Sequence, residues 1–432
     1  MSPMTFRRLG GRGAAAAAAI LLAACRTAGT PGGARGAPST ADAARIHADV
    51  AYLADDRLEG RLAGSPGNDS AAAYIARRFR ALGLSTVEQR FTAQVAAFAH
   101  AGRSPELTSQ NVVAIVPGRD PALRGQSVVI GAHYDHLGRD RLFASDTGTA
   151  IRNGADDNAS GTAAVLELAR LLAAHPPRRS VLLVAFSGEE EGALGSQWFV
   201  DHPPVPLDSV VAMLNFDMVG RLANDKLLVY GVGTAPELPG LVDSLNAAGP
   251  RLALKTLPDG VGPSDHAPFY LKELPVLHFF TDVHPDYHAA GDDVEKINAP
   301  GEARVVDLGH AIARAIADRP GRLTFTPTAT TQRMASDPTA GPRPWFGSIP
   351  DMGSDAAGMR LTGVTPGSPA DKGGVKAGDV VVQFGDRVVT DLYSYTDALN
   401  AYKPGDVVRV VVQRGTMGER VTLTVTLGKR GE

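Results

Sequence analysis

Four apolar runs in this chain each end at side chains that ligate metals. Ser127-Val-Val-Ile-Gly-Ala runs into His133-Tyr-Asp135-His136, and Val181-Leu-Leu-Val-Ala-Phe-Ser into Gly188-Glu189-Glu190-Glu191. Val210 to Phe216 runs into Asp217, and Pro275 to Phe280 leads, after a short loop, to Tyr287-His288. A fifth place, Asn153-Gly-Ala-Asp156-Asp157-Asn158-Ala-Ser160-Gly161, opens a long apolar helical stretch. Two adjacent carboxylates at a helix entrance repel one another unless a cation sits between them.

Zinc takes His nitrogen and carboxylate oxygen, and catalytic sites leave a position open for water. On this reading His133 and Asp217 hold one ion and Glu190 and His288 a second, with Asp156 bridging. Five such ligands suit two metals about 3.5–4 Å apart. Glu189 is then left unliganded beside the water, free to take its proton and hand it to a leaving amine. Asp135 can receive the second ring N–H of His133, Asp157 supports the bridging carboxylate from the next position, and Tyr287 can donate to a developing oxyanion.

Such residues must be held by a scaffold, and the sequence describes one. Short continuous apolar runs without polar alternation read as buried, parallel strands. In open α/β sheets, sites form beyond the carboxyl ends of such strands. Helical spacing marks Ile46 to Leu53, Asn68 to Leu82, the stretch carrying Val165, Leu168, Leu171 and Leu172, Pro236 to Ala248, and Arg304 to Ala317. Asn111 to Val116 and Leu227 to Tyr230 read as further strands, and a hydroxyl or carboxylate at the Ser160 entrance is expected to cap the helix there. The alternation predicts one α/β domain over residues 42–322, with a mostly parallel central sheet flanked by helices. With 432 residues and 44% apolar content, the core can be large. A net charge of -3 offers no footprint for nucleic acid.

The ends differ in texture. Arg7, Arg8 and Arg12, the apolar run Gly13 to Ala24 and the sequence Leu22-Ala-Ala-Cys25 resemble a lipoprotein signal of residues 1–25. Cys25, the sole cysteine, would carry the lipid and tie the protein to a membrane on its extracytoplasmic side; an ordinary secretory signal is the alternative. Residues 26–41 read as a flexible tether and 323–342 as a linker. A β-rich module of short strands follows over 343–430.

The order His-x-Asp, Gly-Ala-Asp-Asp-Asn-x-Ser-Gly, Gly-Glu-Glu-x-Gly, Asn-x-Asp-Met and Tyr-His resembles the secreted di-zinc aminopeptidases. That family's relatives include glutamate carboxypeptidase, glutaminyl cyclases and the transferrin receptor ectodomain. Here the motifs are His133/Asp135, Gly154 to Gly161, Gly188 to Gly192, Asn215/Asp217/Met218 and Tyr287/His288, within roughly residues 42–320. The resemblance implies a phosphorylase/hydrolase-like zinc exopeptidase fold and two zinc ions on His133, Asp156, Glu190, Asp217 and His288. It further implies Glu189 as general base and acid, a cis peptide between Asp156 and Asp157, and peptides with a free N-terminus as substrates. Ser264-Asp265-His266 looks like a family turn near the pocket.

The segment Gly363 to Val380 resembles a bacterial PDZ domain, with Trp345, Phe346, Gly347, Ser348 and Ile349 as its carboxylate-binding loop and Tyr395 to Ala401 along its groove. A groove of that kind adds a C-terminal peptide to a sheet edge. Two other readings stay open on sequence: a glutaminyl cyclase-like enzyme with one zinc, and a non-enzymatic lipoprotein that binds peptides through the PDZ-like groove.

Overall fold

The computed structural model describes residues 40–95, 104–140, 144, 149–328, 344–350, 356–365, 367–390, 392–399, 401–415 and 418–429. The signal segment ending at Cys25 and the tether up to residue 39 lie outside them, as does linker segment 329–342.

Helix α1 (Ala43–Leu53) starts where Asp42 accepts the amides of Ala44 and Arg45. Helix α2 (Pro66–Ala81) starts at Ser65, whose side chain accepts the Asn68 amide, with proline in the first turn where its missing N–H costs nothing. Strands β1 (Ser85–Gln94), β2 (Glu106–Val116) and β3 (Ser127–His133) follow, then α3 (Gly161–Ala174), β4 (Ser180–Phe186) and α4 (Leu194–Asp201). Next come β5 (Val210–Phe216), β6 (Lys226–Tyr230), α5 (Leu238–Ala248), β7 (Ala253–Leu257), α6 (His266–Leu271), β8 (Val276–Phe280) and α7 (Ala299–Asp318).

The eight strands form one sheet in the order β1-β2-β4-β3-β5-β8-β6-β7. Its centre is parallel, as the unbroken apolar runs predict: β3 pairs with β4 and β5, and β5 with β8. The flanks are mixed, because β1, β2 and β6 run antiparallel to their inner neighbours. Strands β1 and β7 are additions to the sequence reading; both are edge strands with many exposed or half-buried positions, so no apolar run marks them. The main core packs α1, α2, α3 and α7 on one face of the sheet, around Ile75, Phe79, Leu168, Leu172 and Ile312. A second cluster, around Phe186, Phe199 and Phe269, fills the other face.

Register explains how the site assembles. His133 lies opposite Phe186 on β4, and Gly131 opposite Asn215 on β5. Two residues beyond each of those partners brings His133 and Asp217 to one level, with Gly188 and Glu189 just past the end of β4. The start of α3 is pressed against β5: a Cβ on Gly161 would stand 2.2 Å from the Phe216 carbonyl oxygen, which only glycine avoids.

The domain boundary differs from the sequence reading. Leu323 is buried in the main core, and the Thr328 amide donates to the Tyr270 hydroxyl at 2.7 Å. Residues 323–328 are therefore packed on the α/β domain, since apolar side chains find cover there.

The second body is a small antiparallel sheet. Strands β9 (Pro344–Trp345), β10 (Ser348–Pro350), β11 (Met359–Val364), β12 (Val380–Phe384), β13 (Arg387–Val388), β14 (Val407–Arg414), β15 (Glu419–Thr426) and β16 (Gly428–Lys429) are joined by α8 (Pro369–Lys372) and α9 (Leu392–Leu399). Its order is β10-β11-β12-β14-β15 with β13 on β12, and β9 pairs with β16. It has its own core, which includes Phe346, Leu361, Phe384, Tyr395 and Val410.

Candidate metal centre

At the carboxyl edge of the central strands, His133 Nε2 lies 3.4 Å from Asp157 Oδ1 and 3.4 Å from Asp217 Oδ1. On the other side of the same aspartate, His288 Nε2 lies 3.3 Å from Asp157 Oδ2 and 3.1 Å from Glu190 Oε2. Zinc bonds of about 2.0–2.2 Å in a tetrahedron require ligand atoms roughly 3.3–3.6 Å apart. All four separations sit close to that edge length. The two oxygens of Asp157 thus face two groups of donors, and their chemistry fits zinc.

The aspartate shared by the donor groups is Asp157, not the expected Asp156. The Asp156 carboxylate is already engaged: its Oδ1 accepts the Gly220 amide at 2.7 Å and the Ser160 hydroxyl at 3.0 Å, and its Oδ2 lies 3.2 Å from His284 Nε2. The cis peptide is likewise one residue on, between Asp157 and Asn158. Two identical neighbours in sequence cannot be ranked by spacing alone; the backbone path decides which one faces the ions.

Asn158, rather than Ser160, satisfies the helix entrance. Its Oδ1 accepts the amides of Gly161 at 2.8 Å and Met218 at 3.2 Å, tying α3 to the end of β5. Asp217 is aimed by the Ser264-Asp265-His266 turn: Ser264 Oγ donates to Asp217 Oδ2 at 2.7 Å and receives Asn215 Nδ2 at 2.8 Å. That leaves Oδ1 toward His133.

Asp135 does less for His133 than expected. Its carboxylate stands 3.8 Å from His133 Nδ1, whereas its backbone carbonyl is 3.3 Å away. The carboxylate instead accepts the amides of Glu189 at 3.3 Å and Glu190 at 3.4 Å, so it positions the loop after β4. His136, without a role on sequence, is 2.6 Å from Glu190 Oε1 through Nδ1. His136, Asp157 and Glu190 also make a three-ligand cluster. The 2.6 Å between His136 and Glu190 is a hydrogen-bond length, shorter than the edge of a zinc tetrahedron. His136 thus orients Glu190, whose Oε2 faces His288. The signal for it was present, as a second histidine three residues after His133.

The site is overloaded with buried negative charge. Burial, followed by neighbouring carboxylates, holds Glu189 well above its ordinary range. Burial also pushes Asp135 up to about 6 and Asp265 up to about 7. Cations set among these groups would relieve the repulsion. Tyr287 stacks on His288 with ring centroids 3.9 Å apart, and burial keeps its phenol protonated.

In the second body the carboxylate-loop residues separate. Phe346 is buried in the core and its carbonyl accepts the Ala370 amide at 2.8 Å, so its side chain is packing rather than groove lining. Trp345 pairs with Gly428, and Gly347 takes a left-handed φ of +84°. The Ser348 hydroxyl meets Tyr395 Oη at 2.5 Å, bridging β10 and α9. The Ile349 backbone lies in β10; its side chain is outside the described residues.

A mixed, centrally parallel sheet with histidine–carboxylate groups sharing one aspartate at its carboxyl edge defines an α/β domain of the zinc metallopeptidase class. Residues 111–313 match the sequence model for Peptidase family M28, and residues 341–427 that for a PDZ domain. The chain thus carries a segment similar to Peptidase family M28 followed by one similar to a PDZ domain. It is 29% identical over 218 residues to aminopeptidase YwaD of Bacillus subtilis, a match covering 48% of this chain and 44% of that one. The chain therefore spans less than half the length of that relative. In three dimensions it is similar to a zinc aminopeptidase from Bacillus subtilis, with a TM-score of 0.55 and 20% identity, covering 65% of this chain and 97% of that one. The Porphyromonas gingivalis glutaminyl cyclase superposes with a TM-score of 0.53 at 18% identity, covering 63% and 98%. At these identities the structural likeness speaks for the fold.

Proposed function

We propose that the protein is a zinc-dependent aminopeptidase that uses two metal ions to remove N-terminal residues from peptides. The observation that carries this reading is the sharing of Asp157 between two triads whose donor separations match a zinc tetrahedron's edge. His133 and Asp217 would hold one ion, Glu190 and His288 the other, with Asp157 between them. Zinc bound there would polarise a peptide carbonyl and bring the pKa of water down towards about 7.

The chain's own residues do the rest. Glu189, next to the ligand Glu190 and beyond the end of β4, receives the proton of the attacking water and returns it to the departing amine. The Tyr287 phenol, protonated and beside His288, is the donor for the carbonyl oxygen as charge develops. The surrounding acidic wall attracts a free α-ammonium, which selects unblocked N-termini. Lipidation at Cys25 would hold the enzyme on the extracytoplasmic side of a membrane, and the PDZ domain would dock C-terminal peptides.

The test is release of the first residue from leucine anilide and from short peptides, free or N-acetylated. Free peptides are expected to be trimmed and acetylated ones spared, with chelator abolishing release. Formation of a lactam from N-terminal glutamine without trimming would overturn the assignment in favour of a cyclase.

A further inference from the structure

The backbone that presents Asp157 is held from both sides by buried charges outside the ligand set. On the carbonyl side is Arg61, fully buried, from the turn between α1 and α2. Its Nη1 donates to the Asn153 carbonyl at 2.7 Å and also to that of Leu53; its Nη2 reaches the Gly154 carbonyl at 3.0 Å, and its Nε the Tyr134 carbonyl at 2.7 Å. On the amide side is Asp292, also fully buried, four residues after His288. Its Oδ2 accepts the amides of Asp156 at 2.9 Å and Asp157 at 3.0 Å, and its backbone carbonyl accepts that of Ala155 at 3.0 Å. Arg221 Nη2 holds Asp292 Oδ1 at 2.9 Å and so fixes the clamp's far end.

Two further features point the same way. Tyr134 sits between His133 and Asp135, so Arg61 binds two ligand-bearing loops at once. Its turn is also costly: Glu59, Gly60 and Arg61 all take left-handed φ angles of 47°, 68° and 51°, which two of the three residues rarely adopt. Strain of that kind persists where surrounding contacts over-determine it. Burial pushes the Arg61 guanidinium down to about 10, and Asp135, Asp157, Asp292 and Glu190 oppose that shift.

We propose that Arg61 and Asp292 are positioning residues of the metal centre: opposite buried charges that grip residues 153–157 by their carbonyls and amides and thereby set the bearing of the shared Asp157 carboxylate. The inference rests on the two-zinc reading above. Arg61 lies upstream of the segment that matches the family model, which begins at residue 111.

The experiment uses the full chain as wild type, Arg61→Lys, Arg61→Met and Asp292→Asn, loaded with zinc or cobalt. Metal affinity is read by chelator competition, ligand geometry by the visible spectrum of the cobalt form, and folding by circular dichroism. Partners that orient metal ligands typically contribute 10–100-fold in affinity. Arg61→Met and Asp292→Asn are expected to weaken metal binding by about that factor and to alter the cobalt spectrum, with kcat falling more than KM changes; Arg61→Lys, which keeps the charge but not the fork, falls between. If Arg61→Met does not fold, Asp292→Asn carries the test alone, because it keeps side-chain shape and one acceptor oxygen. Folded variants that bind metal within about twofold of wild type, with an unchanged cobalt spectrum, would overturn the clamp. Failure of the wild type itself to take up metal would instead overturn the metal reading on which the clamp depends.

Discussion

Individual residues fall into three groups: candidate ligands, groups that aim them, and Glu189, the carboxylate proposed for proton transfer. The candidate ligands are legible because each follows an apolar run or opens one, and four of the five expected ones lie together in the structure. The exception is instructive. Asp156 and Asp157 are chemically identical and adjacent, and only the contacts of Asp156 with Gly220, Ser160 and His284 reveal which faces inward. The aiming groups were mostly invisible, since the partners of Arg61 are backbone carbonyls and those of Asp292 chiefly backbone amides, neither of which leaves a side-chain signature in sequence. Replacing Glu189 by Gln should leave metal content unchanged and lower kcat by about 10²–10⁴, the usual share of general acid–base catalysis. Elemental analysis beside steady-state kinetics would show it; loss of metal together with activity would make Glu189 a ligand instead.

Among the elements, the central strands are legible in the sequence because a strand buried on both faces needs no alternation, and β3, β4, β5 and β8 show none. The edge strands β1 and β7 leave no such run, since most of their positions are exposed or half-buried. Helix α7 offers a prediction remote from the site. Burial, together with Arg314, His175 and Arg170, pushes His310 down to about 4. An unfolded histidine titrates near 6.5, so between roughly pH 6.5 and 4 the unfolded chain binds the extra proton and the folded chain resists it. Stability should therefore fall as pH drops through that window, by on the order of 1–2 kcal/mol at pH 5 from this residue. Urea unfolding of wild type and His310→Leu at pH 7 and pH 5 would expose the difference: the variant should lose less stability on acidification. An equal loss in both would remove His310 from the acid response.

For the whole molecule, the main hydrophobic core and the core of the small antiparallel sheet share no residue: one draws on residues from Ile46 to Leu323, the other on Phe346 to Leu427. The change of texture after the α/β segment announced this division, although the packed tail at residues 323–328 moves the junction towards the PDZ domain. Leu361→Ala, in the second core, should destabilise that domain by about 2–5 kcal/mol. Hydrolysis of an amino-acid anilide, too small to need a docking groove, should proceed at the wild-type rate. Parallel loss of anilide hydrolysis would mean that the PDZ domain completes the active centre.

The central claim is that one aspartate, Asp157, joins two metal ions at the end of the parallel strands. The most direct measurement is the number of zinc ions per chain, by elemental analysis of full-length wild type, Asp157→Ala and Asp156→Asn. The account predicts two in the wild type, a sharp loss in Asp157→Ala, and two again in Asp156→Asn, whose amide oxygen can still accept the Gly220 and Ser160 hydrogens. One ion in the wild type, or a wild-type count in Asp157→Ala, would contradict it.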